Sequence, residues 1–192
     1  MQDIKLYFDL GWQHILSWNA LDHILFLVAL SAIYLVKTWK NVLILITAFT
    51  IGHSITLALS VYDVTRFSNK WVEFFIPCTI IATSISNLFI KDYTYKSLRL
   101  NYFLALFFGL IHGMAFANNI RFMLASDEKI GLPLLSFNIG LEVGQIIIVV
   151  LVLLCSHLII TILKFPRKLW IFLLSLVAFA VALKFCIKRW PL

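Results

Sequence analysis

Histidine and acidic side chains inside apolar segments are the residues of this sequence that could do chemistry. The chain has five histidines, and all lie in or at the edge of long apolar runs: His14, His23, His53, His112 and His157. Asp22, Glu73 and Glu142 lie in the same runs. An ionisable group at membrane depth costs a few kcal/mol or more, so such groups usually mark a site or a pathway. Imidazole nitrogens and carboxylate oxygens together favour binding of a divalent transition metal.

The elements that carry these residues are predicted to be membrane-spanning helices. The chain has 192 residues, of which 62% are hydrophobic and 13% charged, whereas a soluble domain is about half apolar and about a quarter charged. Apolar runs long enough to span a bilayer, roughly 20 residues each, cover 20–36, 42–62, 71–90, 102–124, 134–163 and 169–187. Lipid cannot satisfy backbone polar groups, so these runs must be helical. We expect an all-α polytopic membrane protein, with about six transmembrane helices in one bundle and a single domain over 1–192.

The direction of the predicted helices brings most of the ionisable residues into one leaflet. Spans one, three and five carry their ionisable residues near the beginning, and spans two and four, which run the opposite way, carry theirs within one residue of the midpoint. The residues concerned are Asp22, His23, Glu73 and Glu142 in the first group and His53 and His112 in the second. Because neighbouring spans alternate in direction, the pattern predicts one polar centre within the bundle.

The first and last histidines, His14 and His157, do not follow this pattern. His14 lies nine residues before His23 and would face the opposite way on one continuous helix. It joins the centre only if 11–19 forms a separate interfacial or re-entrant segment. His157 lies fifteen residues beyond Glu142 on the same predicted span, about 22 Å away by helical rise, and we assign it to packing.

The predicted ligands leave the identity of the metal open. They are His14, Asp22, His23, His53, Glu73, His112 and Glu142. Nickel, cobalt, zinc and iron(II) all suit imidazole and carboxylate ligands. The three cysteines lie in separate spans and form no C-x-x-C pair, which disfavours a soft copper site.

Four strings of the sequence resemble one known family. HILSWNALDHILFL, TAFTIGHSITLALS, FGLIHGMAFA and FNIGLEVGQ are together similar to the HupE/UreJ family, small membrane proteins associated with hydrogenase and urease systems. The resemblance covers spans one to five. It implies a metal permease of six to eight helices that carries nickel or cobalt into the cell, in the cytoplasmic (inner) membrane of a bacterium. Carried over by motif, the metal-handling residues would be Asp22, His23, His53, His112 and Glu142, with Glu73 as a companion.

Three functions remain open at this point. The first is a transition-metal permease, which needs polar groups continuing towards the opposite leaflet, where Thr47, Ser86 and Asn87 are the candidates. The second is an intramembrane zinc-dependent hydrolase, in which three histidines hold the metal and Glu73 or Glu142 is the general base. Ser54 beside His53 could serve such an enzyme as a ligand or an oxyanion donor. The third is a scaffold subunit whose buried polar residues only hold helices together.

The net charge of +7 does not indicate a nucleic-acid partner in this setting. The lysines and arginines sit in short connections that flank apolar runs, where they anchor to lipid headgroups. The expected partners are therefore the lipid bilayer and a divalent metal ion. A homo-oligomer is compatible with the sequence.

Overall fold

The protein is mostly helical over the residues that its computed structural model describes, which are 2–66, 68–90, 95–124 and 131–191. The helices in these ranges are α1 Gln2–Leu16, α2 Leu21–Ser31, α3 Trp39–Val61, α4 Asn69–Phe89, α5 Tyr95–Leu124, α6 Gly131–His157 and α7 Arg167–Lys188. Turns of 3-10 helix, Trp18–Ala20 and Val36–Thr38, precede α2 and α3, and α6 continues into a π-helical turn, Leu158–Ile162. The predicted all-α class is confirmed.

Several helices are long and apolar enough to cross a membrane. Within the described ranges, four helical segments meet this requirement by length and composition: Val36–Val61, Asn69–Phe89, Gly131–Ile162 and Arg167–Lys188. A fifth is present if α1 and α2 together count as one span, and α5 contains a shorter apolar helix, Asn101–Ala117. Large apolar side chains are exposed along α6 and α7, as lipid contact requires. The chain is an integral membrane protein.

The first predicted span, 20–36, is wrong as a single continuous helix. α2 has 11 residues, so it rises only about 16 Å, roughly half of the ~30 Å hydrocarbon core. The chain leaves α1 at Ser17, where φ is −74° and ψ is 147°, and α2 then starts at an angle of 69° to α1. Inside the predicted span, α2 ends at Ser31 and a turn follows over 32–35. Hydropathy did not reveal this turn, because residues 32–35 are apolar. The two helices form a broken span or a re-entrant segment.

Glycine allows α3 and α5 to pack backbone against backbone. A Cβ atom at Gly52 of α3 would overlap the carbonyl oxygen of Leu106, and one at Gly109 of α5 would overlap the carbonyl oxygen of Phe49. Small residues of this kind are common at interfaces between membrane helices, where close approach replaces the hydrophobic driving force. The contact fixes the two helices that carry His53 and His112.

Glycine also allows α1 and α6 to pack backbone against backbone. A Cβ at Gly11 would overlap the carbonyl oxygen of Phe137, and one at Gly140 would overlap that of Phe8. Near the start of both helices, the hydroxyl of Ser136 donates to the carbonyl of Ile4 at 2.5 Å. α1 is thereby held along α6, with His14 close to its inner end.

Buried polar contacts connect α2, α4 and α7. The amide of Asn87 on α4 donates to the carbonyl of Ala29 on α2 at 2.7 Å and to the hydroxyl of Ser175 on α7 at 3.1 Å. Farther along α4 and α7, the Sγ atoms of Cys78 and Cys186 lie 3.7 Å apart. These contacts place the end of α7 beside the beginning of α4.

Candidate metal centre

The bend between α1 and α2 brings His14 to His23. Their ring centroids are 4.9 Å apart, with the rings nearly perpendicular. On an unbroken helix the two side chains would point in opposite directions. The separate segment on which the participation of His14 depends is therefore present in the structure.

His53 of α3 completes a group of three imidazoles. One ring nitrogen each from His14, His23 and His53 can be chosen so that all three atoms lie within 4.8 Å of one another. His53 is fully buried and His23 is only 6% exposed. Three separate helices thus deliver a nitrogen ligand to one point inside the bundle.

His112 of α5 lies next to this group. Its ring centroid is 4.9 Å from that of His23, and its Nε2 lies 3.1 Å from the hydroxyl oxygen of Thr79 on α4. That contact occupies one ring nitrogen and orients the other, Nδ1. A hydrogen bond to the second ring nitrogen is the usual way in which proteins fix the orientation of a histidine that binds a metal.

The ring nitrogens of these histidines have unmet hydrogen-bonding capacity. Among the described residues, no hydrogen-bond partner is present for either ring nitrogen of His23 or His53, for Nε2 of His14, or for Nδ1 of His112. A buried polar atom without a partner costs about 1–3 kcal/mol, and native proteins seldom leave several together. A bound cation would take the lone pair of one nitrogen from each ring, so the donor set fits a metal ion.

A bound ion would draw the three nitrogens closer than they are. Zinc binds imidazole nitrogen at about 2.0–2.1 Å in tetrahedral geometry, which implies nitrogen atoms about 3.3 Å apart. The observed limit of 4.8 Å is therefore about 1.5 Å wider than a closed tetrahedral site needs. Small rotations of the imidazoles would close this distance.

Aromatic rings surround the histidines and keep the centre apolar. The ring of Phe116 lies 4.1 Å from that of His14, and the rings of Phe26 and Phe49 each lie 5.2 Å from that of His112. An apolar shell limits water access and strengthens electrostatic interactions inside it.

A cavity of about 430 Å³ adjoins the centre. Its lining residues are His14, Ser17, Ala20, Asp22, His23, Glu73, Ile76, His112, Ala115, Phe116 and Arg189. Glu73 is exposed while His112 is fully buried, so the cavity runs from the surface of the bundle to the imidazoles. A hydrated ion has room to enter it.

The two carboxylates at this cavity differ in their contacts. Asp22 is buried, and its Oδ2 accepts a hydrogen bond from Nη1 of Arg189 at 2.8 Å. The side chain of Glu73 is exposed, and its backbone carbonyl lies 3.5 Å from the same nitrogen of Arg189. Asp22 is thus engaged by a cation within the protein.

Two further predicted site residues lie elsewhere. Glu142 of α6 accepts a hydrogen bond from the hydroxyl of Thr47 at 2.8 Å, and Ser54 donates to the carbonyl of Thr50 on its own helix at 2.7 Å. Among the described residues that line the cavity, neither is present. The structure places Glu142 at the contact between α3 and α6, where the neighbouring pair Thr50 and Gln145 is also hydrogen-bonded, at 2.9 Å.

Two residues of this region escaped the sequence-based prediction. Thr79 gives no signal, because a single threonine in an apolar span is ordinary. Arg189 could have been found: the sixth predicted span ends on the side where the first begins, which places a cation after that span near Asp22. The fifth histidine, His157, is exposed at the far end of α6, apart from the centre.

Comparison with known proteins gives one match. A family model described as HupE / UreJ protein matches residues 1–189, nearly the whole chain. No curated protein and no solved structure matches the chain. The chain therefore belongs to the HupE/UreJ family.

Proposed function

We propose that this protein is a permease for a divalent transition metal, of the nickel or cobalt type, in the cytoplasmic membrane of a bacterium. The observation that carries the proposal is the meeting of three ring nitrogens, from His14, His23 and His53, within 4.8 Å of one another. His14 and His23 also line a cavity. Membership of the HupE/UreJ family supports transport, because that family is associated with nickel and cobalt uptake.

The donor set favours a borderline metal ion. Neutral imidazoles suit nickel, cobalt, zinc and iron(II), whereas magnesium and calcium prefer oxygen ligands. In this proposal a hydrated ion enters the cavity, exchanges water for imidazole nitrogen, and is bound by His14, His23 and His53. His112 and Asp22 are available as further ligands beside His23.

A polar stripe on α4 supplies a continuation beyond the centre. Thr79 contacts His112, and the hydroxyl of Thr83, one turn farther, donates to the carbonyl of Thr79 at 2.9 Å. Beyond Thr83 is a small cavity of about 10 Å³, lined by Leu30, Thr83, Ser86, Asn87, Asn101, Leu104 and Phe108. This is about the space that one water molecule needs. The path is narrow here, so passage of an ion requires the helices to move apart.

Transport is tested by flux into vesicles. Purified protein in liposomes that contain a metal-sensitive dye should admit at least one of Ni²⁺, Co²⁺, Zn²⁺ and Fe²⁺ faster than protein-free liposomes do. The ion must also leave the centre, because conduction requires binding weak enough for release. Absence of flux for all four ions, with the protein folded and inserted, would contradict the proposal.

A second candidate, a metal-dependent hydrolase, rests on Glu73. This carboxylate lines the same cavity as His14, His23 and His112, where it could act as general base for a metal-bound water. Ser54 and Glu142 would then play no direct part from their observed positions. Absence of flux together with one metal ion per chain that resists washing with a chelator would favour this function over transport.

A further inference from the structure

An ion pair joins the beginning of α2 to the end of α7 at the metal cavity. Arg189 follows the last residue of α7, and Asp22 is the second residue of α2. Nη1 of Arg189 lies 2.8 Å from Oδ2 of Asp22, with the two side chains 28% and 10% exposed. Both line the cavity that leads to the histidines.

A proline in α4 helps to hold the arginine in this place. Pro77 lies inside α4 and has no N–H group, so the carbonyl of Glu73, four residues earlier, has no partner within the helix. Nη1 of Arg189 lies 3.5 Å from that carbonyl oxygen. The guanidinium therefore sits between a carboxylate and a backbone oxygen, a pair of acceptors that would also suit a metal cation.

One carboxylate oxygen of Asp22 has no partner among the described residues. This atom, Oδ1, is buried. Asp22 precedes His23 directly, and both side chains border the same cavity. A carboxylate here serves either the guanidinium or an ion bound by the imidazoles, because two cations on one buried carboxylate repel each other strongly at low dielectric.

The approach to this point is also positively charged. A second cavity, of about 510 Å³, shares Glu73 and Arg189 with the first. Its other lining residues are Lys70, Phe185, Lys188, Trp190 and Pro191. These positive charges repel cations, so electrostatic attraction alone does not concentrate metal ions in this second cavity.

We propose that Arg189 is a specificity-determining residue, a tethered cation that an incoming metal ion must displace from Asp22. The inference rests on the proposed binding of metal at the histidines. An ion that gains imidazole ligands replaces the lost ion pair with stronger bonds. Magnesium and calcium, which prefer oxygen, gain no comparable ligands from imidazole and are excluded.

The test is equilibrium binding of Zn²⁺ and Ca²⁺ to the full-length protein in detergent. Arg189→Gln should bind Zn²⁺ about tenfold more tightly, since the ion then has no charge-assisted hydrogen bond to Asp22 to break, and should acquire measurable Ca²⁺ binding. Arg189→Lys should stay close to the wild type. Lys184→Gln, with the same change of charge at an exposed position of α7 that lines neither cavity, should change the affinity for Zn²⁺ less than about twofold.

A double variant separates competition from structural damage. In an Asp22→Asn background the arginine has no carboxylate to compete for, so adding Arg189→Gln should alter Zn²⁺ affinity by less than about twofold. Unchanged or weaker Zn²⁺ binding by Arg189→Gln, while the wild type binds through its histidines, would overturn this inference alone. Absence of Zn²⁺ binding by the wild type would overturn the metal site itself.

Discussion

At the scale of single residues, four histidines form the proposed metal centre. Alternating helix direction was sufficient to predict that His23, His53 and His112 lie in the same leaflet, and the structure brings their rings together. The position of His14 could not be fixed from the sequence, because it depends on the bend at Ser17. Arg189 is not predicted because it lies outside the apolar runs. Side-chain type is readable from sequence, whereas pairing across 167 positions is decided by the packing of α7.

The residue that best tests the three-helix centre is His14, since only the broken first span brings it to His23. His14→Ala removes one nitrogen from the group and should weaken equilibrium binding of Zn²⁺ about a hundredfold or more, beyond the loss typical of a residue that only orients a ligand. His157→Ala is the matched control, because that exposed imidazole lies at the far end of α6, and it should leave the affinity unchanged. Equal affinities in the two variants would remove His14 from the centre.

At the scale of elements, hydropathy predicted where most spanning helices lie but not how they meet. α3, α4 and α7 match the predicted spans to within a few residues. Hydropathy measures composition along the chain and contains no information about a change in the direction of the helix axis. It therefore could not predict the 69° bend between α1 and α2. The polar face of α4 was predicted only in part. Ser86 and Asn87 were predicted as path residues, whereas Thr79 and Thr83 are identified by the packing of α4 beside His112.

The continuation along α4 is tested by Thr83→Val, which keeps the shape of the side chain and removes its hydroxyl. Metal binding at the histidines should change by less than about twofold, since Thr83 is one turn beyond Thr79 and does not line the cavity that His14, His23 and His112 line. Flux should fall about tenfold, the effect of one lost polar contact of about 1–3 kcal/mol in an apolar passage.

Thr56→Val is the control for that experiment. Thr56 is also buried, and its hydroxyl also bonds to a carbonyl of its own helix, that of His53 at 3.1 Å, but it lies on α3, off the proposed path. Its flux should match the wild type. Wild-type flux in Thr83→Val would show that ions do not pass along α4.

At the scale of the whole molecule, the two sides of the centre are unlike. A cavity of about 430 Å³ opens on one side, and the cavity that adjoins the polar face of α4 among the described residues has a volume of about 10 Å³. Such a difference is what a transporter shows when its site is accessible from one side at a time. Alternation would require the glycine-based pairs, α1 with α6 and α3 with α5, to shift against each other or against α4. The sequence predicts the one-sided polar centre, but the sizes of the cavities depend on helix packing.

The most direct test of the central claim is metal flux through the histidine centre itself. Initial rates of dye-reported flux should be compared for wild-type protein, His53→Ala and His157→Ala in liposomes, using whichever of the four ions the wild type carries fastest. We expect His53→Ala to retain less than about a tenth of the wild-type rate, because an ion that loses one of three imidazoles is no longer compensated for the water it gives up. His157→Ala should keep the full rate. Wild-type flux in folded His53→Ala would contradict the account, since the ion would then cross the membrane without the centre built from α1, α2 and α3.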